Sequence, residues 1–236
     1  MRWVLVIALI TFCYVVWSPL WYTLQYVGRL LPPSWSAIPT LADPILETLV
    51  MSLIGTSLAF MTAIALAFPA HRGLAGSIYV YTTARMILAV MRATPVLVLG
   101  IICVAALGFG ATAGIVGIWF HTSGVLGKYL SEAFEASDKD VLEASEIDGC
   151  TKLQTYLYVM IPMQMNALIS YLLYYYEANF RQATFLGVVG AGGIGLYLTT
   201  AVGLFDYGQV GMIVILIIFT SLLLDMTSRV IRSRYL

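Results

Sequence analysis

Glu143-Ala144-Ser145-Glu146-Ile147-Asp148-Gly149, continuing through Cys150 to Tyr158 and closing on Val159-Met160-Ile161-Pro162, decides how this chain is read. It is the longest water-compatible reach of the middle sequence, and apolar segments flank it on both sides. The pattern predicts a short amphipathic helix from about Lys139 to Ile147, stopped at Gly149, because glycine is the usual residue just past a helix end. Pro162 then falls in the first turn of the next helix, where its missing N–H costs nothing. The stretch reads as a polar helix-turn-helix held at a membrane surface.

Working outward, the rest of the chain is too apolar for a soluble domain. Of 236 residues, 61% are hydrophobic and 10% are charged, with mean hydropathy +0.91; a soluble domain carries about 25% charged residues. An all-α polytopic membrane bundle of about six spans is expected, as one domain over residues 1–236. Residues 1–46 would form an N-terminal span and an outer loop, and 47–236 the core, with the polar loop at 138–162. Cys13, Cys103 and Cys150 are far apart and odd in number, and His71 and His121 lack companion ligands. Neither a disulfide framework nor a metal site follows.

The expected spans run from Trp3 to about Tyr26, about Ile45 to Phe68, about Ile78 to Leu107, near Ala113 to just before Lys128 or Tyr129, Pro162 to about Thr184, and about Gln209 to Leu224. The first is longer than a cleaved signal's core and lacks a small-x-small site, so it reads as retained. Gly28 to Pro44 reads as a surface loop, and Gly187 to Gly208 as a glycine-dense connection. The third span is long for one crossing, which needs about 20 residues. With both ends inside, the inner segments hold Arg2, Arg72, Lys128, Lys139, Lys152, Arg229, Arg232 and Arg234, and the outer loops hold only Arg29. That asymmetry follows the positive-inside rule and places the polar loop in the cytoplasm.

Glu143-Ala144-Ser145, three residues, Gly149, nine residues, then Val159-x-Ile161-Pro162 resembles the "EAA" loop of ABC-transporter permeases that work with periplasmic binding proteins. Ser145, Val159 and Ile161 are mild departures from the usual residues. The bland alternative is any polar loop between two spans. A finer resemblance, to phosphonate permeases, covers about Glu47 to the C-terminus. It rests on Arg92-x-x-Pro95, His121 to Lys128, Tyr171 to Arg181, Ala183 to Gly195, and Leu204-Phe205-Asp206-Tyr207. The resemblance implies an ABC type I importer permease fold and a cytoplasmic coupling helix docking on an ATPase, with Glu143, Ala144, Ser145, Gly149 and Pro162 as coupling residues. It implies import of phosphonate, phosphite or hypophosphite across a bacterial inner membrane by alternating access, with both termini cytoplasmic. The implied partners are a second copy of the chain, two ATPase subunits, a periplasmic binding protein and the bilayer, with no nucleic acid. ATP and Mg would bind the ATPase and no cofactor this chain, which is itself no enzyme. A methionine or other small-solute permease, and a self-sufficient carrier or channel, are the alternatives. The halves show no repeat of the kind secondary carriers often have.

Two nucleotide-like motifs fail on context. Gly190-Ala191-Gly192-Gly193-Ile194-Gly195 has the spacing of a dinucleotide fingerprint, but a membrane helix precedes it and the next acid, Asp206, comes too early. Gly124-Val125-Leu126-Gly127-Lys128-Tyr129 lacks the spacing and the hydroxyl of a phosphate loop. The glycines of Gly187 to Gly208 suit either a re-entrant loop or tight helix packing.

Ionisable residues inside apolar segments face the bundle interior or a wet path by default. Glu177 and Arg181 are four apart on one helix face and are expected to form a structural ion pair. Arg92, in Arg92-Ala93-Thr94-Pro95, has no acid at helical spacing. With Thr94, Pro95, Asn179 and Arg181 it is the candidate for an anion path; the alternative is an arginine whose head reaches the interface. Tyr174-Tyr175-Tyr176 reads as an interfacial aromatic belt.

Overall fold

The structure, a computed structural model, describes residues 21–137, 144, 145 and 147–235. Most of the first apolar run lies outside these residues, as do Lys139 and Glu143. Among the described residues every regular element is helical. Residues 21–29 form α1. Then follow α2 (Ile38–Ala67), α3 (Ile78–Ala93), α4 (Val96–Leu107) and α5 (Ala111–Glu135). Next come α6 (Lys152–Met163, with a π turn at Thr155–Met160), α7 (Met165–Val188), α8 (Gly193–Gly203) and α9 (Tyr207–Tyr235).

Three boundaries differ from the sequence reading, and prolines explain them. α2 begins at Ile38, after a 3-10 turn at Trp35–Ala37, so the expected loop to Pro44 is mostly helix. Pro39 occupies the first turn, where no N–H is needed, and Pro44 follows only one turn later, so the helix absorbs both. The division at residues 46 and 47 therefore falls inside α2. The expected third span is broken: α3 and α4 meet at 85°. Pro95 pushes Thr94 to extended backbone (φ −78, ψ 117), ends α3 and caps α4. The fifth span is bent by 71° between α6 and α7. There the π turn runs into Pro162, which sits in the first turn of Ile161–Met163 and offers no N–H to the ladder.

Two single helices, Trp35–Ala67 and Tyr207–Ser233, are long and apolar enough to cross a membrane, and up to four spans result if each bent pair is one. α5 is shorter in apolar run but spans about 37 Å at 1.5 Å per residue. Most of the remaining expected span, Trp3 to about Tyr26, lies outside the described residues. α9 extends past the expected end at Leu224, and Arg229 pairs with Asp225 on its last turns.

α2, α5 and α7 form the centre, α3 and α4 pack on α5, and α8 lies against α2, α7 and α9. In a membrane, burial of apolar side chains supplies little drive for helix association, so close packing of small residues must do it. α5 provides such a surface. Gly117 faces Gly100 of α4, and a Cβ on Gly124 would lie 2.5 Å from the backbone nitrogen of Arg92. Asn179, fully buried, joins three helices: its Nδ2 donates to Thr56 Oγ1 (2.7 Å), and its Oδ1 accepts from Thr122 Oγ1 (3.2 Å).

The tyrosine run is not a belt. Successive residues on a helix point about 100° apart, so the three separate. Tyr174 is exposed, Tyr175 is in the core with Leu126, Leu130 and Leu168, and Tyr176 bonds Ser57 at 2.8 Å.

Candidate coupling loop and anion path

The polar stretch folds as a capped turn. Ala144, Ser145 and Ile147 are helical, and Gly149 follows with φ +79. Cys150 N donates to Ser145 O (3.0 Å), the six-to-one bond that closes a helix through a left-handed residue. Thr151 and Gln154 then form a reciprocal capping box that starts α6: Gln154 N donates to Thr151 Oγ1 (3.3 Å) and Thr151 N to Gln154 Oε1 (2.8 Å). Ser145 is buried, and its hydroxyl meets Thr155 Oγ1 at 3.1 Å, tying the two arms together. Tyr156 anchors the unit on the bundle through Ile64 O (2.6 Å) and ring contacts with Phe68 and Phe134. Ile147, Asp148 and Gly149 remain exposed. Of the expected coupling residues, Ala144, Ser145, Gly149 and Pro162 thus belong to one unit, and Glu143 lies outside the described residues.

Beside this unit lies the turn between α2 and α3. His71, 5% exposed, accepts from Gly73 N through Nδ1 (3.2 Å). Burial holds its pKa below the ordinary 6.5, with Glu135 and a backbone bond to Phe134 pulling partly the other way. Lys152 Nζ donates to Gly73 O (3.2 Å). A recess of about 330 Å³ opens between His71, Gly73, Cys150, Lys152 and Thr155.

The candidate path residues do not converge. Arg92 is exposed in the last turn of α3, where a cation favours the helix carbonyls. Among the described residues it makes no ion pair. Thr94 Oγ1 donates back to Val90 O, and Thr94 O meets His121 Nδ1 at 2.9 Å, so α5 clasps the break. Pro95 is exposed at the corner. Arg181 and Glu177 do pair, at 2.5 Å, but the Arg181 side chain is 45% exposed. Such a pair carries much less desolvation cost than a buried one. Arg181 also edges an apolar groove of about 420 Å³ between α7, α8 and α9. Asn179 is spent on the three-helix clamp described above. Among the described residues no three His, Cys, Asp or Glu side chains converge as metal ligands would.

Two polar residues went unread in the sequence. Glu47 Oε2 accepts from Gly193 N (3.0 Å), and Thr48 Oγ1 accepts from Ile194 N (2.8 Å). A residue pair on α2 thereby caps α8 from 146 positions away. Gly192 and Gly193 have φ +82 and +68, which turns Gly193 N–H toward the Glu47 carboxylate and Ile194 N–H toward the Thr48 hydroxyl. No local cap signal precedes α8, and that absence was the available clue.

Residues 73–235 match the family model of the binding-protein-dependent transport system inner membrane component. The chain belongs to this family. As a binding-protein-dependent inner-membrane component it is a multi-pass membrane protein. It is 36% identical over 208 residues (88% of this chain, 76% of the relative) to the phosphite transport system permease protein PtxC of Stutzerimonas stutzeri. A protein of Escherichia coli (strain K12), provisionally named as a cryptic phosphonate transport system permease, is 44% identical over 119 residues, 50% of this chain and 98% of its own length. Among solved structures, inward-facing MetNI methionine ABC transporter superposes with TM-score 0.74 at 19% identity, covering 85% of this chain and 98% of that one. The fold is that of an ABC type I importer permease.

Proposed function

We propose that this chain is the non-catalytic permease subunit of an ATP-driven importer, moving phosphite, phosphonate or a related phosphorus oxyanion inward by alternating access. One observation carries the mechanism: the 144–163 unit is pre-capped, braced on the bundle, and presents Ile147 to Gly149 outward. A rigid protrusion of this kind can take up force from a partner, and a floppy loop cannot. Residues 138–162 would dock on a cytoplasmic ATPase that holds ATP and Mg, so both termini of the chain face the cytoplasm. A functional importer would hold two copies of this chain, two ATPase subunits and a periplasmic binding protein. Likeness to permeases named for phosphite and phosphonate transport supports the substrate class. Arg92 and Arg181, near the break and the groove, would temper the cost of bringing an anion through a low-dielectric bundle.

The test is phosphite uptake into vesicles carrying the full complex. Uptake should need both ATP and loaded binding protein, and excess methionine should not compete. Uptake without the ATPase would make the chain a carrier or channel, and competition by methionine would overturn the substrate class.

A further inference from the structure

Three backbone groups of the turn between α2 and α3 are bound by three different helices. Ala70 O accepts from Arg85 Nε on α3 (3.0 Å), and Arg72 N donates to Glu135 Oε1 at the end of α5 (3.1 Å). Gly73 O accepts from Lys152 Nζ at the start of α6, and Gly73 N turns back to His71. Glu135 closes the ring, because its second oxygen accepts from Arg85 Nη2 at 2.7 Å. Glu132 stands 4.0 Å from Arg85 Nη1 and is itself 3.5 Å from Lys128. Tyr81 adds its ring face to the Arg85 guanidinium, 5.3 Å away.

Arg85 therefore grips both the turn and α5, and Lys152 ties the same turn to the capped loop unit. Between Arg85 and the break, α3 meets α5 through glycines and apolar side chains, at Gly124 and Gly127, and at the break itself His121 Nδ1 meets Thr94 O. Such surfaces can slide in a membrane, whereas charge-assisted hydrogen bonds are directional and fix register. From Arg85 to the break at Thr94 is about 13 Å of uninterrupted helix. A displacement applied at Arg85 thus reaches the 85° corner, and Arg92 with it, as a rigid-body movement.

We propose that Arg85 and Glu135 are positioning residues that transmit movement of the 144–163 unit to the broken helix α3–α4. Load enters the turn through Lys152, and the Arg85–Glu135 pair obliges α3 to follow. The inference rests on the reading of that unit as the ATPase contact. The pair also accounts for an arginine in an apolar segment: Arg85 Nε and Nη2 donate to Ala70 O and Glu135, and Nη1 stands 4.0 Å from Glu132.

Amide exchange in the full complex, with and without ATP, tests it. In the parent, ATP should change exchange at 144–155 and, by roughly fivefold, at 78–107. In Glu135→Gln, which keeps an oxygen for Arg72 N–H, the change at 144–155 should persist while that at 78–107 disappears. The double exchange Arg85→Glu with Glu135→Arg should restore part of it, which a loss of general stability would not allow. If Glu135→Gln fails to assemble, Arg85→Lys carries the same test, since it keeps the charge and loses the fork. An unaltered α3–α4 response in the single variant overturns the transmission alone. No ATP response at 144–155 in the parent overturns the functional reading and the transmission with it.

Discussion

Gly149 has a left-handed backbone and open space around it: among the described residues, its two chain neighbours aside, no atom lies within 4 Å of where its Cβ would be. Substitution there tests conformation with no crowding. A β-branched residue at this φ costs roughly 1–2 kcal/mol, whereas asparagine tolerates it and is the second choice past a helix end. Gly149→Val should therefore uncouple ATP hydrolysis from phosphite uptake while Gly149→Asn keeps most of the coupling, measured as phosphite moved per ATP. Parent-like coupling in the valine variant would exclude this turn from coupling. His71 gives a second test, through pH. Burial depresses its pKa when folded, so the unfolded chain binds the proton more readily. The stability it contributes is complete above the ordinary value of 6.5 and falls as pH drops through 6.5 toward the folded value. Thermal stability of the purified protein should decline over that window, and His71→Asn, which can still accept from Gly73 N, should flatten the decline. Gly149 was legible because helix ends have a local grammar. His71 was not, because its role depends on a turn packed against α5, which sequence spacing does not express.

Among the described glycines, Gly195 in the α7–α8 hairpin leaves the least room for a side chain. A Cβ on Gly195 would lie 2.0 Å from Thr184 O and 2.9 Å from Gly187 Cα. Backbone cannot step aside as a flexible side chain can, so Gly195→Ala should destabilise by roughly 1–3 kcal/mol. Gly203, in open space at the end of α8, is the control: its alanine variant should be neutral or stabilising by up to ~1 kcal/mol. Melting of the two variants in detergent decides it, and equal midpoints would show that the crossing has room for a methyl group. The hairpin also resolves the two readings left open for the glycine-dense connection. At 11 residues, or about 16 Å, α8 is too short to cross, and its first residues are buried among α2 and α7. It dips back into the bundle and packs tightly at once. Pro95 announced the α3–α4 break in the sequence, since the residue before proline avoids helix. The size of the bend did not follow, because the clasp of His121 on Thr94 O comes from α5.

At the scale of the whole molecule, the electrostatic problem is to pass an anion without trapping it. Arg85 is engaged by two glutamates, and Arg181 by Glu177, so among the described residues Arg92 is the arginine within the α3–α7 bundle that keeps its charge unpaired. Arg92→Gln should leave assembly and ATPase binding intact and slow phosphite uptake, and Arg92→Lys should recover part of the rate. Unchanged uptake in the glutamine variant would remove Arg92 from the path, and failed assembly of both variants would make it structural. The bundle and its polar loop were legible because composition acts over whole segments. The meeting of Glu47 with Gly193 was not, because nothing local marks a bond across 146 residues. That bond also dates the fold. Glu47 leaves the ribosome on the order of 7–30 s before its N–H partner, at about 5–20 residues per second. For that interval the carboxylate lacks this partner, and the cost of an unpaired charge in hydrocarbon favours keeping the start of α2 near the aqueous boundary. A chain halted before Gly193 should thus expose Glu47→Cys to a membrane-impermeant thiol reagent, and the finished chain should protect it. Equal labelling of both would mean that α2 takes its final depth without waiting for α8.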